Sequence, residues 1–262
     1  MRLIDSHAHL QFPQFDKDRE AVIARTRAAG IGVINVGTDL ETSRQAVTLT
    51  EKNEKMWATV GIHPTDLPAP EAEEKIFSEL EKLARQSRVV GIGECGLEIR
   101  NGKFDVRSES GKRQIQIFER QIELAKAVGK PLMIHCRNAY DGLLSVLSNF
   151  QSPTSNLHFF AGDWPTARKF LDLGCTLSFT GVITFANQYD EVIKKMPLDR
   201  LLIETDCPFV APAPYRGQRN EPSYVIEVAR RVAELRGSSF EAIAAATSAN
   251  TRRLFAPLET SF

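Results

Sequence analysis

Nowhere in the chain is there a run approaching the roughly eighteen uninterrupted apolar residues that a membrane-spanning helix requires, so no membrane-embedded role is expected. Met1-Arg2 leads straight into an apolar strand pattern, leaving no room for a secretion leader with its cleavage site, and a cytoplasmic protein is expected. Net charge is also absent, with 33 basic and 33 acidic residues. No whole-molecule field attracts nucleic acid, and an anionic substrate must be held by local patches. The four cysteines (Cys95, Cys136, Cys175 and Cys207) are scattered and form no Cys-x-x-Cys pair, which suits reduced, packed thiols. A Gly-rich phosphate loop after an early strand is missing too, and with it the signature of an open doubly wound sheet.

Short β-branched runs instead alternate with helical patterns along the whole 262 residues. Strands are predicted at Leu3–His7, Gly32–Val36, Trp57–Ile62, Val89–Glu94, Leu132–His135, Asn156–Phe159, Cys175–Phe179 and Leu201–Glu204. Most are apolar on both faces, as a parallel sheet covered by helices requires. Helix end signals fall between them: Thr38 or Asp39, Asp163 and Asn220 as starts, Gly30 and Gly129 as stops. Eight such units predict an α/β fold, a (β/α)8 TIM barrel forming one domain over residues 1–262. An extra C-terminal helix, Phe240–Leu254, is expected on the barrel exterior.

Enzyme sites in this fold lie at the C-terminal ends of the strands, and all five histidines of the chain fall there. His7 and His9 occupy positions i and i+2 of the first strand and so point to one face, which begins a metal site. Core histidines satisfied by backbone carbonyls would show the same triplet, so the case rests on its company. His63 follows the third strand, His135 the fifth and His158 the sixth, while Glu94 closes the fourth and Asp206 the eighth. A carboxylate carried into a barrel mouth is costly unless a cation receives its charge. His7, His9, His135, His158, Glu94 and Asp206 are more ligands than one catalytic ion uses, whereas two ions sharing a bridging carboxylate would employ them all. Cys95, Cys136 and Cys207 each follow a proposed ligand and so should face the helices.

These motifs resemble the TatD-type metal-dependent deoxyribonucleases of the amidohydrolase-like barrels. The resemblance runs from residue 4 to about 255, through Asp5-Ser6-His7-Ala8-His9, Gly61-Ile62-His63-Pro64, Gly93-Glu94-Cys95-Gly96-Leu97, His135-Cys136-Arg137, His158-Phe159-Phe160-Ala161-Gly162, Glu204-Thr205-Asp206-Cys207-Pro208, Arg216-Gly217-Gln218-Arg219-Asn220-Glu221-Pro222 and Asn250-Thr251-Arg252-Arg253-Leu254-Phe255. It implies that His7, His9 and Asp206 hold one divalent ion, that His135 and His158 hold a second, and that Glu94 bridges them. It also implies hydrolysis of phosphodiester bonds in DNA from a strand end, with magnesium as the working ion or with zinc, manganese or iron. Asp206 is then expected to take the proton of the attacking water. His63 is expected to contact the phosphate or protonate the leaving group, unless it is merely structural. Arg137 is expected to meet a phosphate or a ligand carboxylate, and Glu204 to support the ligands from behind. Arg100, Lys103, Arg107, Lys112, Arg113, Arg216 and Arg219, interleaved with Phe104 and Tyr215, are candidate contacts for a single strand or frayed end. Three positions depart from the family pattern: Glu98 in place of Asp, Ala161 in place of Ser, and Thr65 in place of His. An amide, lactone or ester hydrolase is the competing enzyme class. Its relatives often bridge their ions with a carbamylated lysine, and here that position holds Glu94. A non-catalytic, metal-bearing docking scaffold is a third possibility that a missing ligand would favour, and none is missing.

Overall fold

The computed structural model describes residues 3–102, 104–150 and 154–256; Met1, Arg2 and Lys103 lie outside the described residues. Eight strands, β1 (Leu3–Ala8), β2 (Ile31–Val36), β3 (Met56–Val60), β4 (Val89–Glu98), β5 (Leu132–Arg137), β6 (Ser155–Leu157), β7 (Thr176–Phe179) and β8 (Leu201–Ile203), form one parallel sheet in chain order. Between them run α1 (Arg19–Ala28), α2 (Leu40–Glu51), α3 (Glu73–Ala84), α4 (Glu109–Val128), α5 (Tyr140–Asn149), α6 (Trp164–Asp172) and α7 (Asp190–Lys195), followed by α8 (Val225–Arg236) and α9 (Phe240–Leu254). This is the (β/α)8 barrel expected.

The barrel closes where its first and last strands meet. The Asp206 amide donates to the carbonyl of His7 at 2.9 Å, and the His9 amide donates to that of Cys207 at 2.8 Å. Asp5, fully buried, accepts from the Thr205 amide at 2.8 Å and from the Thr205 hydroxyl. Burial outweighs these bonds and pushes its carboxyl well above the usual range. The two faces of the strands divide the core. Leu3, Val33 and Ala58 pack under the helices, whereas Ile4, Ile34, Val36, Trp57, Val90, Met133 and Leu202 form a separate inner cluster. Phe255 joins that inner cluster with no exposed surface. The last helix is therefore more than an exterior cover: α9 packs across β1 and β8 and delivers Phe255 inside the barrel.

Most end signals operate as read. Asp39 accepts from the Thr42 amide in a reciprocal capping box, Asp163 caps α6, and Gly129 ends α4 in the left-handed region. Asn220 does not cap the last barrel helix. A 3-10 turn, Pro222–Tyr224, precedes α8, and the Asn220 amide turns inward to donate to the carbonyls of Thr205 at 2.8 Å, Phe209 at 2.7 Å and Val210 at 3.3 Å. A second difference concerns β4, which continues four residues past Glu94 and pairs Cys95–Glu98 with Ile134–Arg137 of β5. Glycine permits this: Gly96 has φ +137, and a Cβ there would stand 2.1 Å from the His135 carbonyl oxygen. The close approach brings both Glu94 and Glu98 against the imidazole of His135.

Candidate metal centre

The strand ends surround a cavity of about 670 Å³, lined by His9, His63, His135, His158, Glu94 and Asp206 among others. Glu94 is its centre. One carboxylate oxygen, Oε1, lies 2.8 Å from His135 Nδ1 and 2.8 Å from His158 Nε2. The other, Oε2, lies 3.4 Å from His7 Nε2 and 3.6 Å from His9 Nε2. A single carboxylate thus presents one oxygen to each pair of histidines. Asp206 Oδ1 completes the first group, 3.7 Å from His7 Nε2 and 3.5 Å from His9 Nε2.

Hydrogen bonds set the ring orientations. His9 Nδ1 donates to the Val36 carbonyl at 2.7 Å, which leaves a lone pair on Nε2 facing the cavity. His158 is backed by Glu204, whose Oε1 is 3.4 Å from His158 Nδ1. Glu204 is itself held by the Phe159 amide at 2.7 Å and the Ser178 hydroxyl at 2.5 Å. His63 Nδ1 accepts from the Thr65 amide at 3.2 Å and lies 2.7 Å from the Thr65 hydroxyl. Its proton is therefore on Nε2, 3.5 Å from Glu94 Oε1.

Burial would raise the Glu94 carboxyl, but the charge of His158, that of His63 once acid protonates it, and the hydrogen bonds from His135 and His158 hold it well below the usual range. Burial would lower His158 and His135, and their carboxylate partners reverse it and raise both. His7 has no such surplus of partners: burial and the neighbouring His158 press it down to about 3. Burial likewise lowers His63 to about 4, so it is neutral at pH 7.

Divalent cations fit these residues. The Nε2 atoms of His7 and His9 are only 3.1 Å apart, and with Asp206 Oδ1 they form a triangle with edges of 3.1, 3.5 and 3.7 Å. Tetrahedral ligands at the usual metal–nitrogen distance stand about 3.3 Å from one another. Two further triads converge, His7 with Glu94 and His158, and His63 with Glu98 and His135.

Glu98 is the site residue that the motifs undervalue, since it stands out in them only as a departure. It is buried, its Oε2 lies 3.1 Å from His135 Nε2 and its Oε1 accepts from Arg100 Nε at 3.1 Å, and the adjoining His135 leads in drawing its carboxyl down to about 2. Its position two pleats beyond Glu94, on the same face of one strand, is the signal that the sequence offers.

The expected substrate contacts separate. Arg100 and Arg137 line the cavity with mostly exposed side chains. Arg219, Arg216 and Tyr215 are not among its lining residues. Arg219 makes a two-pronged pair with Asp18 at 2.7 Å, Arg216 lies over the Phe185 ring at 3.9 Å, and Tyr215 stacks on Tyr224 at 3.7 Å. Arg113 pairs with Glu73 beside α3. Cys95 and Cys207 are packed away as expected, but Cys136 borders the cavity. Burial pushes its thiol up to about 12, which keeps it protonated. Among the described residues, the four non-glycine residues with positive φ, Asn138, Phe159, Asp206 and Val210, all line this cavity. Backbone of that kind costs roughly 1–3 kcal/mol per residue and persists where the surroundings enforce it.

A family model described as TatD related DNase matches residues 4–256. An uncharacterized metal-dependent hydrolase of Bacillus subtilis, YabD, is 40% identical, covering 97% of this chain and 98% of its own. A protein of Klebsiella pneumoniae named 3'-5' ssDNA/RNA exonuclease TatD is 35% identical, covering 97% of each chain. The crystal structure of YJJV, a TatD homolog from Escherichia coli, superposes with a TM-score of 0.87 at 31% identity over 97% of this chain and 98% of that one.

Proposed function

Because the chain belongs to the TatD-related DNase family, and so to metal-dependent hydrolases, we propose that it is an exonuclease. It removes nucleotides from the ends of single-stranded or frayed DNA, with two divalent ions in its site. The observation that carries this reading is the placement of Glu94, with one oxygen toward His7 and His9 and the other toward His135 and His158. His7, His9 and Asp206 would hold the first ion, His135 and His158 the second, and Glu94 would serve both. Bound divalent ions lower the pKa of water and neutralise charge on a phosphoryl group.

The remaining work falls to side chains. Asp206 lies at the open edge of the ligand group and accepts the proton of the attacking water. His63 turns its Nε2 proton into the cavity, where it hydrogen-bonds the departing oxygen as the bond to phosphorus breaks and that oxygen takes up a proton from solvent. Glu204 holds the orientation of His158, and Arg137 with Arg100 meets the phosphates next to the one cleaved. The Glu98 carboxylate between these two arginines limits how far they swing.

Glu94→Gln keeps the side-chain volume but removes the charge facing both histidine pairs. Loss of a group that merely orients a ligand costs 10–100-fold, so loss of this one should lower single-strand cleavage by at least about 100-fold with the fold retained. Near-normal cleavage by that variant refutes the bridging role. Rapid hydrolysis of a lactone or ester panel with no cleavage of DNA or RNA oligonucleotides refutes the nuclease reading.

A further inference from the structure

One wall of the cavity is aromatic, and nothing in the hydrolytic chemistry requires it. Phe12, just after β1, stacks on the ring of His9 with centroids 4.5 Å apart and planes 11° from parallel. Phe209 stands across both, 6.3 Å from each, at 73° to Phe12 and 67° to His9. The result is a corner of two rings against a proposed metal ligand. Phe209 leaves 45% of its surface exposed, and of the large apolar side chains exposed among the described residues it is the one that lines this cavity.

An isolated exposed phenylalanine means little by itself. This one is held where it is. Its own carbonyl and that of Val210 receive the buried Asn220 amide, and its amide donates to the Asp206 carbonyl at 3.0 Å. Val210 adopts φ +48, a costly conformation for a β-branched residue. The fold spends a strained residue and a buried amide on keeping a phenyl ring in water, three positions from Asp206. On the other side of the cavity stand Arg100, Arg137 and Asn138. Cations on one wall and exposed aromatic faces on the other, with the ligand cluster between, match a nucleotide: phosphates to one side, the flat base to the other.

We propose that Phe209, backed by Phe12, is the subsite for the nucleobase of the terminal nucleotide. The inference rests on the exonuclease reading and deepens it. The enzyme recognises an unstacked base as well as a phosphodiester, and a base still paired in a duplex does not reach the ring. Stacking against an aromatic face tolerates any base, so the subsite selects for the presence of a base and not for its identity.

Two single-stranded oligonucleotides test this, identical except that the terminal nucleotide at the digested end carries adenine in one and no base, a tetrahydrofuran sugar, in the other. Wild-type protein should remove the adenine nucleotide with kcat/KM about tenfold or more above the base-free one, the difference lying mainly in KM. Phe209→Ala should lose that preference by slowing on the adenine end alone, and Phe209→Trp should keep it. Equal rates of wild-type protein on both ends overturn the subsite and leave the exonuclease reading standing. Equal slowing of both substrates by Phe209→Ala also overturns it, since the ring would then act only through loop packing. Cleavage of neither by wild-type protein overturns the exonuclease reading and the subsite together.

Discussion

Asn220 offers the sharpest test of how the active face is held. It is fully buried, and its side chain ties the loop at Thr205 and Phe209 to its own segment at Glu221. Its two amide protons go to the carbonyls of Thr205 at 2.8 Å and Phe209 at 2.7 Å, with Val210 sharing at 3.3 Å, while its oxygen accepts from the Glu221 amide at 2.9 Å. Asn220→Ala removes three good hydrogen bonds and leaves their backbone partners facing an apolar hole. At a net contribution of about 1 kcal/mol per bond, with a further penalty for partners left unpaired, the loss should be about 3–5 kcal/mol. Asn220→Asp is nearly isosteric, so a volume argument predicts little change. The hydrogen-bond argument predicts a loss at least as large, because an ionised carboxylate has no proton to donate and would confront two carbonyl oxygens. Urea unfolding of the three proteins at pH 7, with stability compared through the midpoints at constant slope, measures both effects. Stability of Asn220→Asp within about 1 kcal/mol of wild type would refute the reasoning, since one lost hydrogen bond is worth that much.

Other outcomes follow from the same geometry. Chelation should abolish hydrolysis and lower the melting temperature, since ions that bind only the folded barrel stabilise it by mass action; an unchanged melting temperature would contradict ligands shared among β1, β4, β5 and the segments after β6 and β8. Arg137→Ala should raise KM for oligonucleotides and flatten its salt dependence, whereas Arg219→Ala, which breaks the pair with Asp18, should lower the urea midpoint without moving KM; the reverse pattern would exchange their roles. Glu73 is buried between Arg113 and Arg120; burial raises its carboxyl, but the two guanidiniums more than offset this and leave it below its usual value. Its stabilisation is therefore full above about pH 4.5 and is lost as pH falls through the lower folded-state value, so Glu73→Gln should cost about 1–3 kcal/mol at pH 7 and progressively less in acid. A cost independent of pH would show that packing, not charge, is involved.

How much of this is legible in the chain depends on range. The barrel is, because alternating β and α periodicity is local, and so is the convergence of the histidines, because the fold places strand ends together. Caps at Asp39 and Asp163 are readable for the same reason: a side chain meets an amide three residues on. Asn220 has the sequence setting of such a cap, but its partners Thr205, Phe209 and Val210 are supplied by a loop whose path no local pattern encodes. Arg219 sits in a family motif, yet its carboxylate, Asp18, is 201 positions away. The extension of β4 to Glu98 is hidden by Gly93 and Gly96, which interrupt the apolar pattern but are what allow β4 and β5 to approach.

The closure of the barrel has a consequence for how such an enzyme comes into being. His7 lies on the first barrel strand and His9 directly follows it, while Asp206 follows the last. They meet only across the β1–β8 seam, which the Asp5–Thr205 bonds and Phe255 also secure. Nearly two hundred residues must therefore emerge and fold before the first of the proposed ions could acquire its third ligand. A growing or truncated chain is a hydrolase without a complete site. On the proposed reading, a cation bound there is a clasp joining the two ends of the barrel, and hydrolysis arrives together with the finished fold.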